Sequence, residues 1–580
     1  MRIVSGFWVA SLMALGIAQT TWADAPQDPM RLVPFRADIV AKVEKPRQAI
    51  EYYFELDVVQ KLLKFEAAKE FLDSTNVRQL NQLLAYFEKE LDADRYELID
   101  KLAGGGVLFT AEISRRYPVL LILQGKDEPT TQKFFKLALD VVEEEQMRQG
   151  AKDRIKRTTY NGIPAARLGK NAYVAAMGST IVLGNKPEVL KTVARIHLET
   201  EKNTTRQSKA LVRARKMLPK SPLVWGWFNL SKVQNYGQFR EAVKGVDAFT
   251  PASFTVLGPA FELLGRAPFV CGAISQEGSK YHLAVRFPSG MKGMNKKTAA
   301  FFSKKGKSVL PLLEPPNVLA SMSYHLDPNK LWKKRQEIFP PDALQGLNQF
   351  QKYSGRFMFG LKLDKLLTWA GPHQRIVVTT RTKSVYKTKP IQDIPAFAFV
   401  HDMRDRKFGE SLDSIFRTAA LLATTQLKLK MVEKEINGTK IVSYRFPEKD
   451  KFPGGDPTKI RFNFSPSYAS VGNQFIASST LELATDLVKL LQKQQVQKPL
   501  QSSTTLLKFY SEGLAVPLRQ GKDTLVAQAV LSQAQTPEQA NKEVAMLIDL
   551  VSQLGTLDYR ATFHQNNTTF DWVLDLKKPK

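Results

Sequence analysis

The chain has 580 residues, of which 43% are hydrophobic, 24% charged and 10% aromatic, and these fractions exclude a disordered, collagen-like or low-complexity protein. Its single cysteine, Cys271, excludes an internal disulfide and any zinc or iron–sulfur site built from several cysteines. The 84 Lys and Arg residues outnumber the 56 Asp and Glu residues, which gives a net charge of +28.

The N-terminal stretch predicts a secretory signal peptide over residues 1–25. Arg2 is the only charge before Asp24, residues 3–18 are largely apolar, and Ala23-Asp24-Ala25 supplies the small residues of a cleavage site. An uncleaved membrane anchor is the alternative, but the apolar stretch is shorter than the roughly 20 residues that span a bilayer. We therefore expect an exported protein, periplasmic or secreted, with no transmembrane segment after signal removal.

The rest of the chain is predicted to be an internal duplication, in which two similar units follow each other. Five pairs of similar segments follow in the same order, about 280 positions apart, and one insertion near residues 453–457 accounts for a change in spacing. The pairs are 38–43 with 317–322, 117–122 with 394–399, Asn161-Gly162 with Asn437-Gly438, 174–196 with 468–490, and 264–287 with 554–576. The alternative is an accidental likeness between two α+β domains.

Local patterns predict the same architecture for both copies. Asn161-Gly162 and Asn437-Gly438, each flanked by strand-like residues, are strong hairpin signals. Apolar residues recur with helical spacing between short apolar strands. We therefore predict an α+β fold with two similar tandem domains, each with a mixed, mainly antiparallel sheet and helices packed on one face. The predicted ranges are a first repeat at 30–288, a basic linker at 289–316 and a second repeat at 317–580.

This layout resembles a family of uncharacterised exported bacterial proteins that have a signal peptide and tandem α+β repeats. The strand at Ala41–Val43, the Asn161-Gly162 hairpin and the strand–helix unit from Gly178 to Ile196 carry the resemblance. The family has no assigned activity, so the resemblance implies a fold and an exported location but no reaction.

No motif of established chemistry was found. The six histidines form no H-x-H, H-x-x-x-H or H-E-x-x-H pattern, so no metal and no cofactor are predicted. His401 and Asp402 form the best acid–base pair, but they align with Gln124-Gly125 in the first copy, and we predict no catalytic residue. Gly104–Gly106 leads into a strand and is interpreted as a turn, and Cys271, within an apolar strand, as a buried inert thiol.

The basic surplus predicts either solvated surfaces or a site for anionic polymers. The basic stretches have no aromatic interleaving, so we expect no sequence-specific nucleic-acid binding. The candidate polyanion-binding residues are Arg206, Lys209, Arg213, Arg215, Lys216, Arg375, Arg381, Lys383, Lys387 and Lys389.

These observations leave three hypotheses for the function. The preferred one is an exported, non-enzymatic binding or structural protein of unknown ligand. The second is an extracytoplasmic hydrolase with a site between the two halves, and the third is an electrostatic binder of anionic polymers. The partner is unknown; anionic cell-envelope polymers and another protein are both candidates.

Overall fold

A computed structural model gives the structure of the chain. It describes residues 27–576, apart from 35, 152, 200–203, 206–207, 245–259, 305, 359, 382, 450–451, 453–454, 495–497 and 534. The predicted signal peptide and part of the predicted insertion lie outside the described residues. The described chain divides into two units, the first up to Phe239 with Ala267–Pro288, the second Arg240–Arg266 with Ser289 onward. The boundary between Pro288 and Ser289 coincides with the predicted end of the first repeat. Arg240–Arg266 lie within the predicted first repeat but group with the second unit.

The described residues of the first unit form ten strands. They are β1 (Ile39–Val43), β2 (Gly106–Ala111), β3 (Val119–Gln124), β4 (Lys156–Tyr160), β5 (Ile163–Arg167), β6 (Tyr173–Met177), β7 (Thr180–Gly184), β8 (Val224–Phe228), β9 (Val270–Glu277) and β10 (Lys280–Phe287). Their order across the sheet is β10-β9-β8-β1-β2-β3-β7-β6-β5-β4, and these pairings are antiparallel.

Helices connect these strands. They are α1 (Pro46–Glu55), α2 (Asp57–Leu62), α3 (Glu66–Leu72), α4 (Thr75–Leu91), α5 (Arg95–Ala103), α6 (Glu128–Arg148), α7 (Pro187–His197), α8 (Lys209–Met217), α9 (Leu230–Val233) and α10 (Gly237–Lys244). The last of them, α10, continues past Phe239 into the segment that is grouped with the second unit. Several begin at a side-chain cap: the Asp127 carboxylate accepts from the Thr130 N–H at 2.7 Å at the start of α6, and Asp94 caps α5 at 3.0 Å.

In the second unit, the part of the chain that the structure describes also forms ten strands. They are β11 (Val318–His325), β12 (Ala370–Thr379), β13 (Ala396–Met403), β14 (Lys430–Ile436), β15 (Thr439–Arg445), β16 (Ser467–Val471), β17 (Gln474–Ser478), β18 (Thr505–Tyr510), β19 (Thr556–Phe563) and β20 (Thr568–Asp575). Their order is β20-β19-β18-β11-β12-β13-β17-β16-β15-β14, again antiparallel.

The helices of the second unit come in the following order. They are α11 (Lys296–Ala299), α12 (Pro328–Lys333), α13 (Arg335–Ile338), α14 (Pro341–Phe357), α15 (Leu363–Trp369), α16 (Lys407–Leu427), α17 (Leu481–Lys493), α18 (Ser511–Gln520), α19 (Lys522–Gln533) and α20 (Pro537–Gln553).

The strand order of the second unit repeats that of the first, place for place. Two long helices also recur, since α6 follows β3 as α16 follows β13, and α7 follows β7 as α17 follows β17. The α+β class with mainly antiparallel strands is confirmed. An ancestral duplication stays a prediction, which the matched strand order supports.

Helices pack on both faces of these sheets, which differs from the expected single covered face. In β6, Ala175 and Met177 pack in a core with α7, whereas Val174 and Ala176 pack in another core with α6. Neighbouring residues of a strand point to opposite faces, so an apolar run without polar alternation needs cover on both. The unbroken apolar strands of the sequence are therefore the signal of double coverage.

The predicted basic linker, 289–316, packs within the second unit where it is described. The Val309 and Leu500 backbones form an antiparallel bridge, and the Phe302 ring lies 4.5 Å from that of Phe563. Leu313 is fully buried in the core that α17 covers.

Candidate functional site

A cleft of about 390 Å³ lies between α16 and strands β13, β15, β16 and β17 of the second unit. Its aromatic lining consists of Phe397, Phe399, Phe416, Tyr444, Phe464 and Tyr468. The volume falls within the range of about 300–1,000 Å³ that is usual for small-molecule sites.

Strand alternation places two phenylalanines in this cleft. Ala398 and Val400 of β13 face the core under α17. Phe397 and Phe399 point to the other face, where α16 leaves them 41% and 52% exposed. Large aromatic side chains are seldom left so open next to a buried apolar cluster, because covering them with apolar atoms is favourable.

The serine hydroxyl groups of the cleft are engaged in the protein's own hydrogen bonds. Ser467 donates to the Ser465 carbonyl oxygen at 2.6 Å, and Ser478 donates to that of Thr480 at 2.9 Å. The Ser479 hydroxyl accepts from a β13 backbone N–H at 2.9 Å. The cleft therefore offers mainly carbon surface to a ligand.

Tyr468 reflects the same apolar surroundings. Burial raises the pKa of its phenol well above the usual range, with hydrogen bonding as a further cause, because the charged phenolate is poorly solvated there. On the outer side of α16, Arg417 bonds Asp413 at 2.9 Å and Glu433 at 2.7 Å. The Arg417–Glu433 pair ties α16 to β14, whereas the Arg417–Asp413 pair lies within α16.

His401 and Asp402, the acid–base pair expected from the sequence, do not bond each other. The His401 ring bonds the Gln374 amide oxygen and stacks on Phe408 at 4.8 Å. Asp402 instead bonds His373, with 2.9 Å between Oδ2 and Nδ1. Successive residues on a strand face opposite sides, which is why adjacent positions could not form the pair.

The strand register also corrects the alignment of that pair with the first copy. Gln124 stands opposite Thr180, two positions after the tight turn at Gly178. Asp402 stands opposite Gln474, two positions after Gly472. The counterpart of Asp402 is therefore Gln124, one position away from the sequence alignment.

Burial lowers the pKa of two histidines in the second unit, His325 and His401. It lowers the pKa of His325 and that of His401 to about 4, because the charged imidazolium loses its hydration. The His325 ring lies edge-on to that of His373, with centroids 5.8 Å apart. No three or more His, Cys, Asp or Glu residues in the described part of the chain could together hold a metal ion.

The candidate polyanion-binding residues divide by exposure. Lys209, Arg213, Lys216, Lys383, Lys387 and Lys389 are exposed, and Arg206 lies outside the described residues. Arg215 is half-buried and bonds the Pro219 carbonyl oxygen at 2.8 Å.

Two members of that set are turned toward the protein. Arg375 is 1% exposed, and burial lowers its pKa to about 10, so this residue is not available to a surface polymer. Arg381 bonds Asn463 at 2.6 Å and the Phe462 carbonyl oxygen at 3.0 Å. A polyanion site on the exposed lysines stays a prediction.

The two remaining sequence interpretations concern a thiol and a glycine turn. Cys271 is buried, and burial raises the pKa of its thiol to about 12. Gly104 follows the end of α5, and β2 begins at Gly106, so the glycines form a turn after a helix. No helix of the described residues has the length and apolar character needed to cross a bilayer.

No motif in the sequence marks the cleft. Its one local signal is the run Ala396-Phe397-Ala398-Phe399, in which large aromatics alternate with alanines on a strand. That pattern indicates a flat, closely packed face and a bulky one, but only the position of α16 decides whether the bulky face is covered.

Comparisons with known proteins add little. No family model and no curated protein matches the chain. Crystal forms I and III of TP0453 are similar at 12% and 10% identity, each with a TM-score of 0.25, covering 47% of this chain and 82% and 85% of theirs. Crystal form IV of TP0453 has 10% identity and a TM-score of 0.23, covering 45% and 80%. Such scores assign neither a fold nor a function.

Proposed function

We propose that this chain is an exported binding protein whose second unit takes up a small, uncharged apolar ligand in the cleft beneath α16. The observation that carries the proposal is the pair Phe397 and Phe399, which stay half-exposed inside a cleft of about 390 Å³. Covering such surface is favourable by about 25 cal/mol per Å². The export part of the proposal rests on residues 1–25 of the sequence alone.

The chemistry of the lining supports an apolar ligand over a polar one. The three serine hydroxyls are already bonded within the protein, and most of the described lining is carbon, so a polar ligand would gain few partners for the water that it loses there. A charged ligand would in addition need a countercharge, and the lining residues that the structure describes include no charged side chain.

Titration of the purified full chain with N-phenyl-1-naphthylamine, an uncharged apolar fluorophore, tests the proposal. We expect saturable fluorescence enhancement, and we expect Ala420→Phe, which fills the cleft from α16, to weaken binding about tenfold or more. Phe350→Ala is the matched control, since Phe350 is 58% exposed and lies outside the cleft.

The two variants together decide the outcome. Weakened binding in Ala420→Phe with unchanged binding in Phe350→Ala supports the cleft as the site. Equal binding in the parent chain and both variants, or no saturable binding to the parent chain, overturns the proposal.

A further inference from the structure

Ser308, His373 and Asp402 form a cluster of polar side chains. Asp402 lies on the face of β13 opposite the cleft, and His373 lies on the neighbouring strand β12. The Ser308 Oγ lies 2.9 Å from His373 Nε2, and His373 Nδ1 lies 2.9 Å from Asp402 Oδ2. Ser308 and His373 are 65 positions apart in the chain, and His373 and Asp402 are 29 positions apart. A local sequence motif therefore could not indicate this cluster.

The two imidazole nitrogens are used in the order that nucleophilic catalysis requires. The neutral tautomer of His373 that donates from Nδ1 to the Asp402 carboxylate leaves Nε2 to accept from the Ser308 hydroxyl. A hydroxyl bonded to a neutral imidazole, which a carboxylate orients through its other nitrogen, is the arrangement of an activated serine.

Backbone devices bring His373 and Asp402 together. The register of β12 against β13 shifts between Ala370 and Gln374, and this irregularity contains Gly371 and His373. A Cβ on Gly371 would lie 2.6 Å from the Asp402 carboxylate oxygen, so only glycine leaves room for the carboxylate there. Strand irregularities of this kind re-aim side chains and are frequent beside active sites.

Further hydrogen bonds fix the carboxylate. The Gln474 amide donates to Asp402 Oδ1 at 3.1 Å, and the Gln474 amide oxygen accepts from Arg375 at 2.8 Å. The Asp402 carboxylate is thus held from both of its oxygens. The corresponding place in the first unit holds a neutral pair, in which Thr180 donates to Gln124 at 2.9 Å.

The serine is also held in place by its flanking backbone. Two residues before it, the Gly306 carbonyl oxygen accepts from the Thr504 hydroxyl. One residue after it, Leu500 N–H donates to the Val309 carbonyl oxygen at 2.6 Å. Ser308 itself is only partly buried. A nucleophile fixed in this way loses little freedom when it reacts.

We infer that Ser308 is an activated nucleophile that accepts acyl groups from carboxylic esters, with His373 as its general base and Asp402 as the residue that positions His373. The Ser308 Oγ forms a bond to the acyl carbon while its proton passes to His373 Nε2. That proton then passes to the departing alcohol oxygen as the ester C–O bond breaks. Water repeats the sequence on the acyl-serine, releasing the carboxylic acid and restoring Ser308.

A fluorophosphonate probe applied to the purified full chain tests the inference. Its phosphorus forms a bond to Ser308 Oγ, fluoride leaves and His373 takes the proton. We expect one labelled peptide containing Ser308, no labelling of Ser308→Ala, and labelling of His373→Gln slowed about 100-fold or more. Ser384→Ala is the matched control. The Ser384 hydroxyl accepts a hydrogen bond from Arg381 at 3.0 Å, and this bond involves an arginine instead of a histidine that could act as a base.

The positioning role of Asp402 needs a readout that lost stability alone would not give. With p-nitrophenyl acetate, Asp402→Asn should lower kcat with little change in KM, because the imidazole no longer keeps the reactive tautomer. Thermal unfolding of each variant shows that it is folded. The absence of labelling at Ser308, or labelling that His373→Gln leaves unchanged, overturns the inference and leaves the proposed ligand cleft unaffected.

Discussion

Asn161 and Asn437 adopt the same uncommon backbone conformation at equivalent places in the two units. Their φ angles are 50° and 46°, and the glycines that follow them have φ angles of 82° and 76°. Two consecutive residues with positive φ define the type I′ turn, whose twist matches that of the strands it joins. The hairpins β4–β5 and β14–β15 are therefore closed by the same device.

The turn glycines should be sensitive to a side chain. We expect Gly162→Ala and Gly438→Ala each to lower the free energy of unfolding by about 1 kcal/mol, because an L-residue is strained at these φ angles. Denaturant titration measures the change. Gly169→Ala is the control, since Gly169 has no positive φ and open space around it. A cost at Gly169 equal to that at Gly162 would contradict the turn assignment.

Arg375 should be important for the stability of the second unit. Its guanidinium donates to the Pro311 carbonyl oxygen at 3.2 Å and to Gln474 at 2.8 Å. We expect Arg375→Met to lower the free energy of unfolding by about 2 kcal/mol, because two half-buried acceptors lose the donor that they share.

Lys383→Met provides the comparison for Arg375→Met. Lys383 is exposed, so its replacement should change stability by less than about 0.5 kcal/mol. Equal melting temperatures for the two variants would contradict the internal role of Arg375.

The lowered pKa values of His325 and His401 predict that the folded protein becomes less stable in acid. The pKa values of His325 and His401 are about 4 in the folded chain, below the ordinary value of 6.5, so the unfolded chain binds more protons between these limits. Stability that is fully present above about pH 6.5 is therefore lost progressively as the pH falls toward 4, by on the order of 2 kcal/mol per histidine.

Denaturant titration at several pH values checks this dependence. His401→Gln removes a titrating group, so its stability should fall less steeply than that of the parent chain over the same pH interval. An identical slope in both proteins would contradict the assignment to His401.

Cys271 should be unreactive in the folded protein. The side chain is 2% exposed and burial raises its thiol pKa to about 12, so almost no thiolate is available near neutral pH. A chromogenic disulfide reagent should react with the thiol only after denaturation. Lys209→Cys, at an exposed position of α8, should react at once. Rapid reaction of the parent chain would show that β9 opens.

The elements that could be predicted are those with local causes. The Asn-Gly hairpins, the helices that follow β3 and β7 and the glycine turn before β2 lie where their residues indicated. Each depends on residues close in the chain, on φ preference in turns and on apolar spacing in helices. The double coverage of β6 was not predicted, although its unbroken apolar run signals it.

The positions of the polar residues could not be predicted in the same way. Arg375 is one of the candidate polyanion-binding residues of the sequence, yet it is 1% exposed. Its strand has alternate residues buried, and a shift of one residue would place it outside. The register of a strand depends on which strands pair with it, and the local sequence does not specify that pairing.

By itself, the sequence determined the class of fold, because turn chemistry and apolar periodicity act over a few residues and need no distant partner. Only the tertiary structure decided which side chains meet. Ser308, His373 and Asp402 come from separate segments, and the strand register, the irregularity at Gly371 and the anchored backbone at Val309 bring them together. The half-exposed aromatics under α16 are likewise decided by how a helix is placed over a sheet, a matter of long-range packing.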